Sequence, residues 1–242
     1  MQRMKKSINT AIAFLFFALS SFAQAGKHEE RVTLPLDSFT AKIGRQAQPQ
    51  IIDARSPEEF SLNHISNALN FNVQTNGYAT LVQALDKSRP VFIYAISTGR
   101  SSVLAHDLKS RGFAEAYDLE GGSANWIGSG QPYYTSLKKG LSPAEFQQII
   151  ATNKKVLVNI GSRYCGLCKK AKPIVDSIRN EHPGDVTIVE IELEESPQLI
   201  AALKTVNVFP YFILYDRGAV AFKRSGVEAL KYELEEALAK AK

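Results

Sequence analysis

The chain is 242 residues long, too long for one typical domain of roughly 100 to 150 residues and about right for two. Hydrophobic residues make up 45%, charged residues 22% and aromatic residues 10%, with no biased tract, which excludes a disordered, collagenous or coiled-coil chain. The net charge of +5 invites nucleic acid as a partner only until the positive residues are located.

Three of them stand at the very start. Arg3, Lys5 and Lys6 precede the apolar run Ala11–Leu19, and Ala23-Gln24-Ala25 then places small residues where a signal peptidase reads. Residues 1–25 are predicted to be a cleaved secretory signal, so the protein is expected in the periplasm. The apolar run is far shorter than the roughly 20 residues needed to span a membrane. Cleavage after Ala25 leaves 217 residues and lowers the net charge to +2, because three cations leave and no carboxylate does. No stripe of Lys and Arg with interleaved aromatics remains, which excludes nucleic acid.

In the first half, Ile51–Arg55 reads as a strand leading to a loop, and Pro57-Glu58-Glu59-Phe60 opens a helix. Val91–Ala95 is a second, buried strand. The polar loop Ile96–Arg100 feeds a helix from Ser101 to Ser110, and Tyr117–Gly122 with Trp126 closes the domain. From Gly128 to Gly140 turn formers dominate without periodicity, which puts the boundary at 135–140. In the second half, Ser142-Pro143-Ala144-Glu145 combines an N-cap, a proline at the first helical position and a capping-box glutamate, so a helix is predicted over 143–153. Strand Val156–Ile160 follows, and the loop Gly161–Tyr164 delivers Cys165-Gly166-Leu167-Cys168 into a helix running through Ile178. Strands Val186–Leu193, Tyr211–Tyr215 and Ala219–Lys223 come next, the last two joined by a tight turn at Asp216-Arg217-Gly218, and an amphipathic helix Glu228–Ala239 ends the chain.

Cys165 and Cys168 are the only cysteines. In an exported protein this excludes a disulfide framework, and a bridge over so small a loop hardly restricts the unfolded chain, so the pair points to chemistry. A zinc site needs about four ligands, and His28, His64, His106 and His182 show no paired spacing; no metal is expected. Cys165 falls at the positive end of a helix, where amide donors and aligned dipoles favour a thiolate, so it is predicted to be ionised, reachable and the attacking sulfur. Cys168, one turn inside, can resolve the resulting mixed disulfide. The Cys165–Cys168 dithiol is the redox group, and no other cofactor is called for.

Residues 140–242 resemble the thioredoxin family: Cys-Gly-x-Cys at a helix start after a buried strand, Lys169, Pro173 five residues beyond Cys168, and Pro210 before the second strand pair. The resemblance implies that Pro210 is cis, faces the thiols and offers backbone to an extended substrate, with Phe209 beside Cys165 and Tyr164 also at the substrate. Four positions depart from the family pattern. Tyr164 stands for the usual tryptophan, Leu167 for the proline between the cysteines, Asn159 for a buried aspartate and Glu190 for its lysine partner. An asparagine cannot take a proton, which leaves water or Glu190 to deprotonate Cys168.

Residues 32–135 resemble a single rhodanese domain, through Asp53-x-Arg55, Glu58-Glu59-Phe60, His64-Ile65 with Ala68 and Asn70, the loop ending Gly99-Arg100-Ser101, and Gly121-Gly122 with Trp126. Where that family carries its sulfur-accepting cysteine, five residues before the loop arginine, this chain has Ala95. A methyl group can neither attack a sulfur donor nor hold a persulfide, so this half is expected to be catalytically inactive, as a cysteine phosphatase too. Its loop, Ser97, Thr98, Gly99 and Arg100, suits a small anion or a carboxylate. The plainer alternative is that Arg100 pairs with a carboxylate such as Asp53 and that the domain is a scaffold, with Asp53, Arg55 and His64 maintaining its fold.

The expected organisation is therefore α/β in two domains: signal peptide 1–25, an inactive rhodanese-like parallel-sheet domain 32–135, a linker 136–140, and a thioredoxin fold 141–242. The expected function is thiol–disulfide exchange on protein thiols and disulfides, as a reductase or isomerase rather than an oxidase, supplied with electrons by a membrane-bound redox partner. Two other readings stay open: an adaptor whose rhodanese-like half recruits a partner, and sulfur transfer with Cys165 as acceptor.

Overall fold

The computed structural model describes residues 32–137 and 140–241, with only the backbone of Thr98. The signal expected at 1–25 lies outside the described residues. Among those described, no helix is long and apolar enough to cross a membrane.

The N-terminal half is laid out as β1 (Thr33–Leu34), α1 (Leu36–Ile43), β2 (Gln50–Asp53), α2 (Pro57–Leu62), β3 (Asn63–Ile65), β4 (Leu69–Asn70), α3 (Tyr78–Gln83), β5 (Val91–Tyr94), α4 (Thr98–Ser110), β6 (Ala116–Leu119), α5 (Gly122–Gly128) and β7 (Tyr133–Thr135). Five strands form a parallel sheet in the order β1-β6-β5-β2-β4. β5 and β6 are buried at every position, which is why Val91–Tyr94 reads as an uninterrupted apolar run. A capping box fixes the start of α2: Ser56 Oγ accepts from Glu59 N, and the Glu59 carboxylate accepts from Ser56 N. Helix α4 begins at Thr98, three residues before the predicted start, because Ser97 keeps the extended backbone of an N-cap and Gly99-Arg100 already form the first turn.

The C-terminal half comprises α6 (Pro143–Thr152), β8 (Lys155–Gly161), α7 (Gly166–Glu181), β9 (Thr187–Glu192), α8 (Pro197–Leu203), β10 (Tyr211–Asp216), β11 (Ala219–Ser225) and α9 (Leu230–Lys240). Its sheet runs β11-β10-β8-β9, with β8 and β9 parallel and β10 antiparallel to both its neighbours. Ser142 and Glu145 form the predicted capping box of α6. Helix α8 is absent from the sequence expectation. It is one short amphipathic stretch, and the burial of Leu199 and Ile200 in the core is what holds it.

One apolar core runs through both halves. It contains Trp126 and Ile127 of α5, Leu199 and Ile200 of α8, and Val206, Phe209 and Cys165. Gly128, on α5, permits the approach: a Cβ there would overlap the carbonyl oxygen of Val206. Asn63 Nδ2 donates across the same boundary to the carbonyl of Leu193 at 3.3 Å. The connection after β7 is also bonded to both sides, Ser136 N donating to Leu62 O at 3.0 Å and Gln198 Nε2 to Leu137 O at 3.4 Å.

Candidate active site

Strand β8 ends at Gly161, and the chain turns through Ser162, Arg163 and Tyr164 into α7, with Cys165 as its N-cap. Cys165 N donates to Ser162 O at 3.0 Å, and Cys165 Sγ accepts from Cys168 N at 3.2 Å. The two cysteines form a disulfide, their Cα atoms 5.2 Å apart. Both sulfurs therefore sit at the end of α7 where free amides and the helix dipole favour negative charge. Pro173 lies inside the same helix.

The turn is held from behind by a carboxylate that sequence reasoning missed. Ser162 Oγ donates to Glu194 Oε1 at 2.6 Å and accepts from Tyr164 N at 3.1 Å, while Arg163 N donates to Glu194 Oε2 at 3.3 Å. Glu194 is buried, and burial raises its pKa above the ordinary carboxylate value despite these hydrogen bonds. Glu194 belongs to an acidic stretch that reads locally as solvated surface. Its neighbours behave that way, since the exposed Arg163 guanidinium bridges Glu192 at 3.2 Å and Glu195 at 2.7 Å.

Strand β10 pairs Tyr211 with Ile160, which brings the preceding residues to the end of β8. The Phe209-Pro210 peptide is cis, as the resemblance implies. Phe209 is buried in the core cluster that holds Cys165, and Tyr164 is half-buried. The expectation of a reachable Cys165 is modified: in the disulfide form it keeps 5% of its surface, because the N-cap residue packs into that core, whereas Cys168 is half-buried. Gly166 and Leu167 between them are exposed.

A cavity of about 290 Å³ lies against Cys168, lined also by Asn159, Lys169, Lys172 and Glu190. Asn159 and Glu190 are register partners on β8 and β9. Asn159 Oδ1 is buried with no hydrogen-bond partner among the described residues, and the partly exposed Glu190 lies 3.5 Å from Arg179. Glu190, one of the two proton acceptors read from the sequence for Cys168, thus lines the same space as Cys168.

The other strand–loop–helix turn, from β5 into α4, carries Ala95 with no exposed surface. Gly122, at φ +56°, packs so closely that a Cβ there would overlap Ala95 O, and Ser123 N donates to that same oxygen at 2.7 Å. Arg100 makes a two-pronged ion pair with Glu59, at 2.6 and 2.7 Å. Burial alone would raise the Glu59 pKa, but Arg100, with the Ser56 amide, holds it below the usual range. Arg100 thus pairs with a carboxylate, but not with Asp53. Asp53 is taken by Arg55 at 2.7 Å, both side chains being buried, and Arg55 Nη1 continues to Asn63 Oδ1 at 3.2 Å. The reason is geometric: the buried Asp53 is already bonded to Arg55 two residues on, while Arg100 in the first turn of α4 meets Glu59 in the first turn of α2. Ser97 and Gly99 line an open cleft, and the Thr98 side chain is outside the described residues. His64 stacks between Phe60 and Tyr134, with ring centroids 3.9 and 4.6 Å away, a packing arrangement.

Residues 138–240 match the family model for thioredoxin, and residues 36–129 match that for the rhodanese-like domain. The chain is 31% identical over 103 residues to the mitochondrial thioredoxin-3 of Saccharomyces cerevisiae, covering 43% of this chain and 80% of that one. It is 30% identical over 102 residues to a thioredoxin of Mycoplasmoides gallisepticum, covering 42% and 99%. It spans only 16% of the bifunctional thioredoxin reductase/thioredoxin of Mycobacterium leprae, at 27% identity over 73 residues, or 30% of this chain. Fold, dithiol and relatives agree on a thiol–disulfide oxidoreductase. The chain belongs to the thioredoxin family, with a rhodanese-like domain ahead of its thioredoxin domain.

Proposed function

We propose that this protein is a periplasmic reductase or isomerase of protein disulfides, with Cys165 as the attacking and Cys168 as the resolving sulfur. The observation that carries the reading is the Cys165–Cys168 pair at the start of α7, in one core cluster with the Phe209 that precedes cis Pro210. In the reduced protein the Cys165 thiolate attacks a substrate disulfide, forming a mixed disulfide and expelling one substrate thiolate. Cys168, on losing its proton, attacks Cys165 Sγ, releases the second substrate thiolate and leaves Cys165–Cys168 oxidised, so that two electrons have passed to the substrate. Tyr164, Phe209 and Pro210 hold the substrate strand. The dithiol needs no further cofactor, but in an oxidising compartment it needs a membrane-bound donor of electrons to restore it. The signal sequence expected over residues 1–25 supports the location.

The rhodanese-like half takes no chemical part in this reading, since Ala95 offers a sealed methyl where a sulfur acceptor would stand. Reduction of insulin-type disulfides by the wild-type chain, lost in Cys165→Ser, is the expected result; no exchange with any disulfide by the wild type would overturn it. The direction follows from the reduction potential: about −270 mV favours reducing work and about −120 mV oxidation.

A further inference from the structure

A cavity of about 1060 Å³ opens where the two halves meet. Ser102, Val103 and His106 of α4 form one wall, Glu120 stands at the end of β6, and Asn207 and Val208 of the C-terminal half form the opposite wall. We propose that this cleft is a second subsite for the disulfide-bearing substrate, taking an extended stretch of its polypeptide and selecting a basic side chain there; the proposal rests on the exchange reaction above.

Continuity with the redox centre carries the first part. Asn207 and Val208 run directly into Phe209 and cis Pro210, so a chain lying on Pro210 reaches the cleft within about 7 Å, two residues of extended backbone. The volume exceeds the roughly 300–1,000 Å³ of ordinary small-ligand pockets and accommodates several residues. The walls suit a polypeptide: Val103 is 56% exposed and Val208 adds apolar surface, while the amides at the start of α4 and the Asn207 side chain can meet backbone groups. The shared core and the Asn63-to-Leu193 hydrogen bond fix the two walls in place, so the cleft is formed before substrate arrives.

Charge carries the second part. Glu120 is the one Asp, Glu, Lys or Arg side chain lining the cleft, and its carboxylate has no partner among the described residues. Arg100, the cation nearest in sequence to this wall, is already committed to Glu59. With Arg100 committed, the lining offers one carboxylate, that of Glu120, to a lysine or arginine of the bound chain.

The test uses the full chain and a panel of cystine peptides in which a single lysine is walked through the second to sixth positions on either side of the disulfide, with matched glutamate peptides and a small aromatic disulfide lacking any flank. The wild type is expected to reduce the best lysine peptide about fivefold faster in kcat/KM than its glutamate counterpart, the size of a single well-placed ion pair, and to lose the preference at high salt. Glu120→Gln removes the preference and Glu120→Lys reverses it, while both variants reduce the small disulfide at the wild-type rate. Equal rates for all peptides in the wild type, or a preference that survives Glu120→Lys, would overturn the subsite. Failure of the wild type to reduce even the small disulfide would overturn the exchange reaction itself.

Discussion

The turns from β5 into α4 and from β8 into α7 are built alike: a buried strand, a short loop and a helix whose free amides point back at the strand end. They differ in what occupies that end. At β8 the N-cap is a sulfur, and the loop is fastened from behind by Glu194, which leaves the helix terminus to the disulfide. At β5 the residue is an alanine with no exposed surface, its methyl in the apolar core and its carbonyl oxygen against Gly122, and the arginine of the first helical turn is spent on Glu59. A helix N-terminus supplies a favourable potential for negative charge, but chemistry follows only where a nucleophile stands in it and neighbouring charges are not already neutralised.

The largest effect expected from testing this contrast is at β8. Cys165→Ser should lower disulfide exchange by about 10³-fold or more, whereas Cys168→Ser should still attack and should accumulate a mixed disulfide visible by mass spectrometry; retention of turnover in Cys165→Ser would break the comparison. Next comes the junction that fixes the two turns in one body. Gly128→Ala forces a methyl against the Val206 carbonyl and should cost about 2–3 kcal/mol, lowering the melting temperature by roughly 5–10 °C in a single transition. Loss of only one half in calorimetry would show that the core is not shared.

Smaller, and dependent on pH, is the effect at Asp118 on β6. Burial raises its pKa to about 6, and hydrogen bonds from Ser101 and Thr33 offset this only in part. Between about pH 4 and pH 6 the folded chain retains a proton that the unfolded chain has lost, so this residue's contribution to stability falls as pH rises through that window. Asp118→Asn should therefore stabilise the protein by about 2 kcal/mol at pH 7 and lose the advantage below about pH 4, as read from urea midpoints at the two pH values. No effect at all is expected from Ala95→Cys: the position has no exposed surface, so thiosulfate and cyanide should yield no thiocyanate. Thiocyanate formation would show that the methyl alone separates the two turns.

Much of this was legible in the chain. The strand at 156–160, both cysteines at the start of a helix, the proline-led capping box at Ser142 and the methyl at position 95 are local features, each decided by residues within one turn or one strand of each other. Helices α5 and α8 were not legible, because each is seven residues long and is stabilised by the other half of the molecule rather than by its own periodicity. Nor was Glu194, whose partner Ser162 lies on a different strand end, nor the choice of Glu59 over Asp53 by Arg100.

By itself, then, the order of residues determined which chemistry each half can carry, since a thiol or a methyl is present or absent at a strand end whatever the packing. Only the tertiary structure decided how deep Cys165 lies, which carboxylate answers which cation, and that a cleft is lined by both halves, with Asn207 and Val208 on the C-terminal side. Those properties depend on distances between segments remote in the chain, and such distances are set when the shared core closes, not by the local preferences of any one stretch.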